Sequence, residues 1–562
     1  MMHQPKSLYR AFQHTAKRHT KRTALYWKHQ QVWHKKKYGE LLDDIDVLAH
    51  HLAELRITPN TQVAIWSENR PEWLMCDLAL NKLGAVSVPI HAVANKEFAQ
   101  YVTKHSESTF LVISASLYEK NKDSIPFNQL KGIIYIGESL PLDHPSHTRL
   151  FSNLLTVPSS LNKEVEHFNE LASIVYTSGT TGEPKGVMLT NTNFLANVEA
   201  TCNKVPVFHT DIFLSFLPLS HILERTVGSF VPITHGAAIA YAESITALQK
   251  NMQEIRPTII ISVPKIFERI YEKIVDHVKE SSTVQQKIFY WALDKTPRSN
   301  GCNLCASILV YRKIRKLFGG RLRIAVSGGA SINISILKFF TKVGVPIVEG
   351  YGLTETASAA TTNSLSRPKI GTVGRALKHV EIKISATKEI LIRGPIVTSG
   401  YWKNESETNN SFSDGWFKTG DLGFLDTDGF LKIIGRAKEI IIGTNGENIA
   451  PEKIENLLNA SSYIYQSLVI GHKKPFLTAL IVPQMENIEK IRKNNTSAIE
   501  TYIWHDIKKI NETLSPYEHI KRFYILTKPF NIENNELTPT LKLRRSIIES
   551  HNRTVIENLY IE

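Results

Sequence analysis

The stretch Tyr176-Thr177-Ser178-Gly179-Thr180-Thr181-Gly182-Glu183-Pro184-Lys185-Gly186 carries the strongest chemical signal in this sequence. It holds three glycines, four aliphatic hydroxyls and one lysine. Glycine lets backbone N–H groups approach an anion closely, and the hydroxyls and the ammonium add donors. The apolar run Leu171 to Val175 just before it reads as a buried strand. This composition suits a loop that cradles nucleotide phosphates. It is not a Walker A loop, because Lys185 precedes Gly186 and no Gly-Lys-Ser/Thr follows. A ligand-free Ser/Thr/Gly surface loop is the competing reading, so the rest of the chain must decide.

Four further stretches carry chemistry. Gly350-Tyr351-Gly352-Leu353-Thr354-Glu355-Thr356 follows the apolar strand Val345 to Val348, and a bare strand-to-loop junction is its competing reading. Tyr351 offers a flat face to a base, and Thr354 and Glu355 offer oxygen to Mg²⁺. In Asp414 to Gly423, Asp421 sits in a Gly-rich turn where a carboxylate can accept from both ribose hydroxyls. Arg436 and Lys438, in Gly435-Arg436-Ala437-Lys438-Glu439, lie where the pattern of the chain changes. Near the C-terminus, Lys542 matters only if a small domain closes over a large one. Its ammonium could then meet the charge that develops on a reacting carboxylate and an α-phosphate.

The elements that must position these groups follow from length and pattern. At 562 residues the chain suits two or more domains. Val63 to Trp66 and Ala85 to Pro89 read as buried strands, with Glu72 to Leu83 the helix between them. That rhythm predicts an α/β architecture with a largely parallel sheet. Helical periodicity recurs over Lys265 to Lys279, Val284 to Leu293 and Leu304 to Leu317, the last stopping at Gly319-Gly320. Leu322 to Val326 is a strand running into the turn Ser327-Gly328-Gly329-Ala330. Past about residue 375 short strands alternate with turns. After Gly435 comes a smaller α+β unit, with helices at Pro451 to Leu458 and Ile488 to Lys493. The expected division is 1–435 and 436–562, with a hinge near Lys438.

The net charge of +14 favours anionic partners such as nucleotides, CoA or an anionic membrane surface. No nucleic-acid motif accompanies it. Four cysteines in so long a chain argue for a reducing compartment, and the lone Cys302/Cys305 pair lacks partners for a metal site. There is no secretory signal pattern and no apolar run long enough to span a bilayer. The expectation is a cytoplasmic protein with at most peripheral contact at the inner face of a membrane.

Together and in this order, the motifs resemble the adenylate-forming superfamily over nearly the whole chain. Phe216 to Arg225, Ser262 to Tyr271, and Leu309 to Ala330 narrow the resemblance to bacterial long-chain fatty-acid–CoA ligases. The resemblance implies a large N-terminal domain of α/β sheets, helices and a β-rich subdomain, and a small mobile C-terminal one. It implies that a fatty acid reacts with ATP to give acyl-AMP, then with CoA to give the thioester. By similarity, Thr177, Ser178, Gly179, Thr180, Thr181, Gly182 and Lys185 hold phosphates. Gly328, Gly329, Ala330, Tyr351 and Gly352 flank adenine. Thr354 and Glu355 serve phosphate and Mg²⁺, Asp421 and Arg436 take ribose, and Lys542 assists adenylation. Lys438 is the hinge position, near residues 443–448 of the expected CoA site, and His221 lies beside the acyl carboxylate. The family commonly has Gly-Gly-Ala-Pro where Gly329-Ala330-Ser331 stand, Asp where Gly435 stands, and Gly-Asp where Gly471-His472 stand. None of these removes an expected catalytic group. A carrier-protein acceptor, an aryl-acid substrate, luciferase-like oxidation and a non-catalytic nucleotide-binding homologue remain alternatives. Chain length and oligomeric state are not legible.

Overall fold

In the computed structural model, residues 5–123, 125, 129–158, 166–177, 183–294, 305–443, 447–484, 498–538 and 542–561 are described. Ser178 to Gly182, Cys302, residues 444–446 and the expected helix at Ile488 to Lys493 lie outside them.

Val86–Ile90 is buried at every position, the pattern of a strand covered on both faces. Gln62–Trp66 pairs with it in parallel, Val63 beside Ser87. The crossover is the helix Pro71–Lys82, where Pro71 fills the first turn and needs no hydrogen-bonded N–H. These strands belong to an eight-stranded sheet, parallel except at the edge formed by Lys185–Thr190 and Gly400–Tyr401. A nine-stranded sheet places Ile212–Ser215, Ile259–Ser262, Ile324–Ser327 and Ile347–Leu353 side by side in parallel. A third, five-stranded antiparallel sheet includes Glu389–Arg393, Trp416–Leu425 and Leu431–Arg436.

Arg225 ties the first two sheets together. It sits fully buried in a π-helical segment, Glu224–Phe230, and its Nε donates to Asp77 Oδ2 at 2.9 Å. It also donates to the hydroxyls of Ser173 at 2.7 Å and Ser87 at 2.6 Å. Trp73, Phe194 and Phe230 pack around the guanidinium. A buried cation is tolerated only when paired and hydrogen-bonded in this way.

Beyond Arg436 the chain forms a separate core. The strands Ile464–Ile470, Leu477–Pro483 and Ile520–Ile525 make its sheet. Pro451–Leu458 and Ala498–Asn511 pack on it through Ile454, Leu458, Ile503 and Ile507.

Three expectations need correction. The strand expected to end at Val348 runs over Ile347–Leu353, through Gly350 to Leu353, and pairs antiparallel with Ser358–Thr362. Asp421 lies inside a ten-residue strand, not in a turn, because Gly420 takes φ +69° and the ladder bulges past it. The stretch ending at Gly319 is not one regular α-helix, since Ser307–Tyr311 is π-helical before Arg312–Leu317 continues as α-helix.

Candidate active site

The loops leaving the C-terminal ends of the parallel strands, the antiparallel sheet and the small unit enclose one cleft of about 2240 Å³. Parallel α/β sheets present their strand ends as binding crevices, because the chain turns there with backbone groups free. Thr177, Lys185, His221, Gly328, Gly329, Ala330, Tyr351, Gly352, Thr354, Glu355, Asp421, Arg436, Lys438 and Lys542 all line it.

Its polar end is organised by a strand pair. Asp421 and Arg436 are register partners on Trp416–Leu425 and Leu431–Arg436, and Arg436 Nε meets Asp421 Oδ1 at 2.8 Å. Tyr351 donates its phenolic proton to the other oxygen, Oδ2, at 2.7 Å. Burial raises the Asp421 pKa, while Arg436 and Tyr351 oppose that shift. Burial and the carboxylate raise Tyr351 well above the usual phenol range. Gly352 is obligatory by contact: a Cβ there would stand 1.7 Å from the Ser358 carbonyl oxygen.

Lys542 enters from the small unit. Its side chain is open to the solvent of the cleft but walled by both units. Burial and the Arg436 charge lower its pKa, and Asp421, Glu452 and Glu439 oppose that. The small unit is held over the cleft by direct contacts. Arg269 donates to the Tyr465 hydroxyl at 2.9 Å, and Asn456 donates to Ser331 Oγ at 2.8 Å.

Further along the polar lining, Lys185 is ion-paired with Glu407 and lies 5.6 Å from the Tyr401 ring. Tyr401 donates to Glu355 Oε1 at 3.0 Å. Among the described residues Glu355 Oε2 has no hydrogen-bond partner, so one hard oxygen faces the cleft as a divalent cation requires. Thr177 ends the strand Leu171–Thr177, and Lys438 is exposed in the turn Ala437–Glu439.

The opposite arm is apolar. Ile259 and Ile261 lie on one face of the strand Ile259–Ser262, and Val263 continues the apolar lining just past its end. Leu223, Val227 and Val231 recur every fourth residue along the π-helical segment and its flanks and line the same arm. Thr201, Val205, Val207 and Phe213 complete the arm. Val207 also lines a second, smaller cavity with Cys202 and His235.

His221 stands between the two ends. Its Nδ1 accepts from the Leu223 N–H at 3.3 Å, which leaves the ring proton on Nε2. Burial, with His91 and Lys542 nearby, pushes its pKa down to about 3. His91 is driven down to about 4 by burial, and its Nδ1 lies 2.8 Å from Ser220 Oγ. Both imidazoles are therefore neutral near pH 7.

Sequence reasoning missed His91, Tyr401, Glu407 and Thr419, all of which line the cleft. The only local signal for Tyr401 is the short aromatic strand Gly400–Tyr401. It pairs with Met188 and Val187, on the strand that begins at Lys185.

The family profile described as AMP-binding enzyme matches residues 12–402, and the AMP-binding enzyme C-terminal domain matches 438–562. The long-chain-fatty-acid–CoA ligase FadD15 of Mycobacterium bovis is 32% identical over 94% of this chain and 93% of its own. Among solved structures, the adenylation domain of a carboxylate reductase from Mycobacterium chelonae superposes with a TM-score of 0.83. That match has 21% identity and covers 100% of this chain and 92% of that one. The anthranilate CoA ligase AuaEII, in complex with anthranoyl-AMP, gives 0.77 at 18% identity, covering 99% of both chains.

Proposed function

This chain belongs to the AMP-binding enzyme family, and we propose that it is a long-chain fatty-acid–CoA ligase working in two steps within the cleft described above. The carboxylate oxygen of the fatty acid attacks the α-phosphorus of ATP, forming acyl-AMP and expelling pyrophosphate. The CoA thiol then attacks the acyl carbonyl, loses its proton, and expels AMP. The observation that carries this reading is the joining, in one cavity, of a polar end lined by Lys185, Asp421, Arg436 and Lys542 to an apolar arm.

In this reading Asp421 takes the ribose hydroxyls and Arg436 fixes its direction. Tyr351, Gly352 and Gly328 to Ala330 enclose the adenine. Lys185 and Thr177 hold the outer phosphates with Ser178, Gly179, Thr180, Thr181 and Gly182. Glu355 and Thr354 would hold Mg²⁺, which when bound offsets charge on the phosphate oxygens. Lys542 places its ammonium where negative charge grows during adenylation. His221, neutral and donating through Nε2, borders the acyl carboxylate. Residues 436–562 turn at Lys438 between the two steps, since Lys542 and pantetheine need the same space.

Chain length has an energetic basis. Each buried CH₂ is worth about 0.8 kcal/mol, so an apolar arm favours long acids over short ones steeply. The test is pyrophosphate release from ATP across acids from acetate to oleate plus an aromatic acid, with and without CoA. Release that peaks with long chains and turns over only with CoA is expected. Turnover only with an acyl carrier protein moves the acceptor, and no release from folded protein with Mg²⁺ overturns the enzyme reading.

A further inference from the structure

The helix Lys96–His105 grips both limbs of the stretch that runs from Thr177 to Lys185. Ala99 and Val102 bury its inner face in the core around the first sheet, which gives it a fixed base. Tyr101 and His105 lie one helical turn apart, and their rings stack with centroids 5.2 Å apart and planes at 15°. Each then reaches a different limb. The Tyr101 hydroxyl donates to the Pro184 carbonyl at 3.0 Å, just before the strand Lys185–Thr190 begins. His105 Nδ1 shares a hydrogen bond with the Tyr176 hydroxyl at 2.8 Å, one residue before the strand Leu171–Thr177 ends. The buried Tyr176 ring stands edge-on to both, at 88° to each.

Trp402 adds a third tie. Its indole N–H donates to the His105 carbonyl at 3.2 Å, and its backbone N–H to the Gly186 carbonyl at 2.7 Å. Gly186 has no room to spare, since a Cβ there would stand 2.8 Å from Ile174 Cγ2 and 3.1 Å from Tyr176 Cζ.

The residues between the limbs include Gly179 and Gly182. Glycine loses more backbone freedom on ordering than any other residue, so a glycine-rich stretch is costly to fix around a ligand. Limbs held at a set spacing and direction before the ligand arrives lower that cost, which is how preorganisation raises affinity. Lys185 follows directly on Pro184, so the Tyr101 hydrogen bond also fixes the backbone from which that ammonium projects.

We propose that Tyr101 and His105 are positioning residues for triphosphate binding. They act through the stretch Thr177 to Lys185, holding its limbs in the geometry that meets the outer phosphates. The role rests on the phosphate contacts proposed above for that stretch.

The test is calorimetric titration of the full chain with ATP, pyrophosphate and AMP, each with Mg²⁺ and without fatty acid or CoA. AMP has no outer phosphates, so its affinity does not sense this stretch. Y101F deletes one hydroxyl and keeps the ring stack. It is expected to weaken ATP and pyrophosphate binding by about threefold to tenfold, the usual weight of one hydrogen bond, and to leave AMP binding unchanged. H105L is expected to show the same pattern. H105N, whose amide can still pair with the Tyr176 hydroxyl, recovers most of the loss. A role in the fold alone would weaken ATP and AMP alike, or leave H105N no better than H105L. Either result overturns the proposal, as does unchanged ATP affinity in both Y101F and H105L. Failure of the underlying phosphate reading looks different. The wild type would then bind ATP no more tightly than AMP and would not bind pyrophosphate, which removes this role before any substitution is made.

Discussion

Arg436 holds Asp421 by a side-on contact, Nε to Oδ1 at 2.8 Å, from the directly opposed position on the neighbouring strand. With Tyr351 on the second oxygen, the carboxylate cannot rotate, and its remaining lone pairs are aimed before any ligand arrives. Replacement D421N keeps the shape and removes the charge. Hydrogen bonds to a charged group are worth about 1.5–3 kcal/mol, so KM for ATP is expected to rise about tenfold to a hundredfold. Steady-state kinetics with saturating fatty acid measure this, and an unchanged KM refutes the ribose assignment.

For Lys542 the expected signature is asymmetric. K542A should slow acyl-AMP formation by about 10²–10³-fold, the cost of losing one charge-stabilising donor. Conversion of supplied acyl-AMP by CoA should be much less affected. Single-turnover assays of each half-reaction separate the two, and equal losses would sink the assignment.

Glu407 is ion-paired with the Lys185 ammonium, the group proposed above to meet a phosphate. The pair is about one-third exposed, so it is worth at most about 1 kcal/mol. E407Q is therefore expected to lower KM for ATP, by no more than about fivefold. It should also strengthen product inhibition by pyrophosphate to a similar degree. Inhibition constants for pyrophosphate decide the matter, since a merely structural role for Glu407 would weaken both.

At the far end of the apolar arm, Val207 separates the main cleft from the cavity lined by Cys202 and His235. V207F is expected to shift the preferred acid to shorter chains, with activity on octanoate retained. A profile of acyl-CoA formation against chain length shows this. A uniform fall at all lengths would mean that Val207 supports the fold and does not bound the substrate.

Glu224 is fully buried, and Ser215 is the polar side chain beside it that favours its charged form. Burial raises its pKa from the ordinary 4.5 to about 8. Below pH 4.5 folded and unfolded chains both carry the proton. Between 4.5 and 8 only the unfolded chain releases it, so stability falls as pH rises, by about 1.4 kcal/mol per pH unit. E224Q is neutral throughout and is expected to remove that slope. Urea midpoints of both proteins at pH 5, 6.5 and 8 give the comparison, and parallel pH profiles would contradict it.

Where a signal was local, the sequence carried it. The helix read at Glu72 to Leu83 forms as Pro71–Lys82, and the strand read at Ala85 to Pro89 forms as Val86–Ile90, buried at every position. Asp421 was misplaced because Asp-Gly and Gly-Asp pairs read as turns. In the structure Gly420 uses its positive φ to bend a continuous strand, which composition cannot distinguish from ending one. The partnership of Lys185 with Glu407 spans 222 residues, and Tyr401 reaches Glu355 across 46. Such contacts are created by sheet topology, so no window of sequence contains them. His91 was overlooked for the same reason: its neighbour Ser220 is 129 residues away.

The buried Arg225 bears on how this protein is made. Its partner Asp77 leaves the ribosome 148 residues earlier, and Ser87 and Ser173 also precede it. Until Arg225 emerges, the first sheet must either hold an uncompensated acid in its interior or stay loose. Stable closure of the N-terminal half therefore waits for translation well into the second sheet. The early nascent chain should be protease-sensitive and dependent on chaperones, then become resistant abruptly once this single side chain has been synthesised.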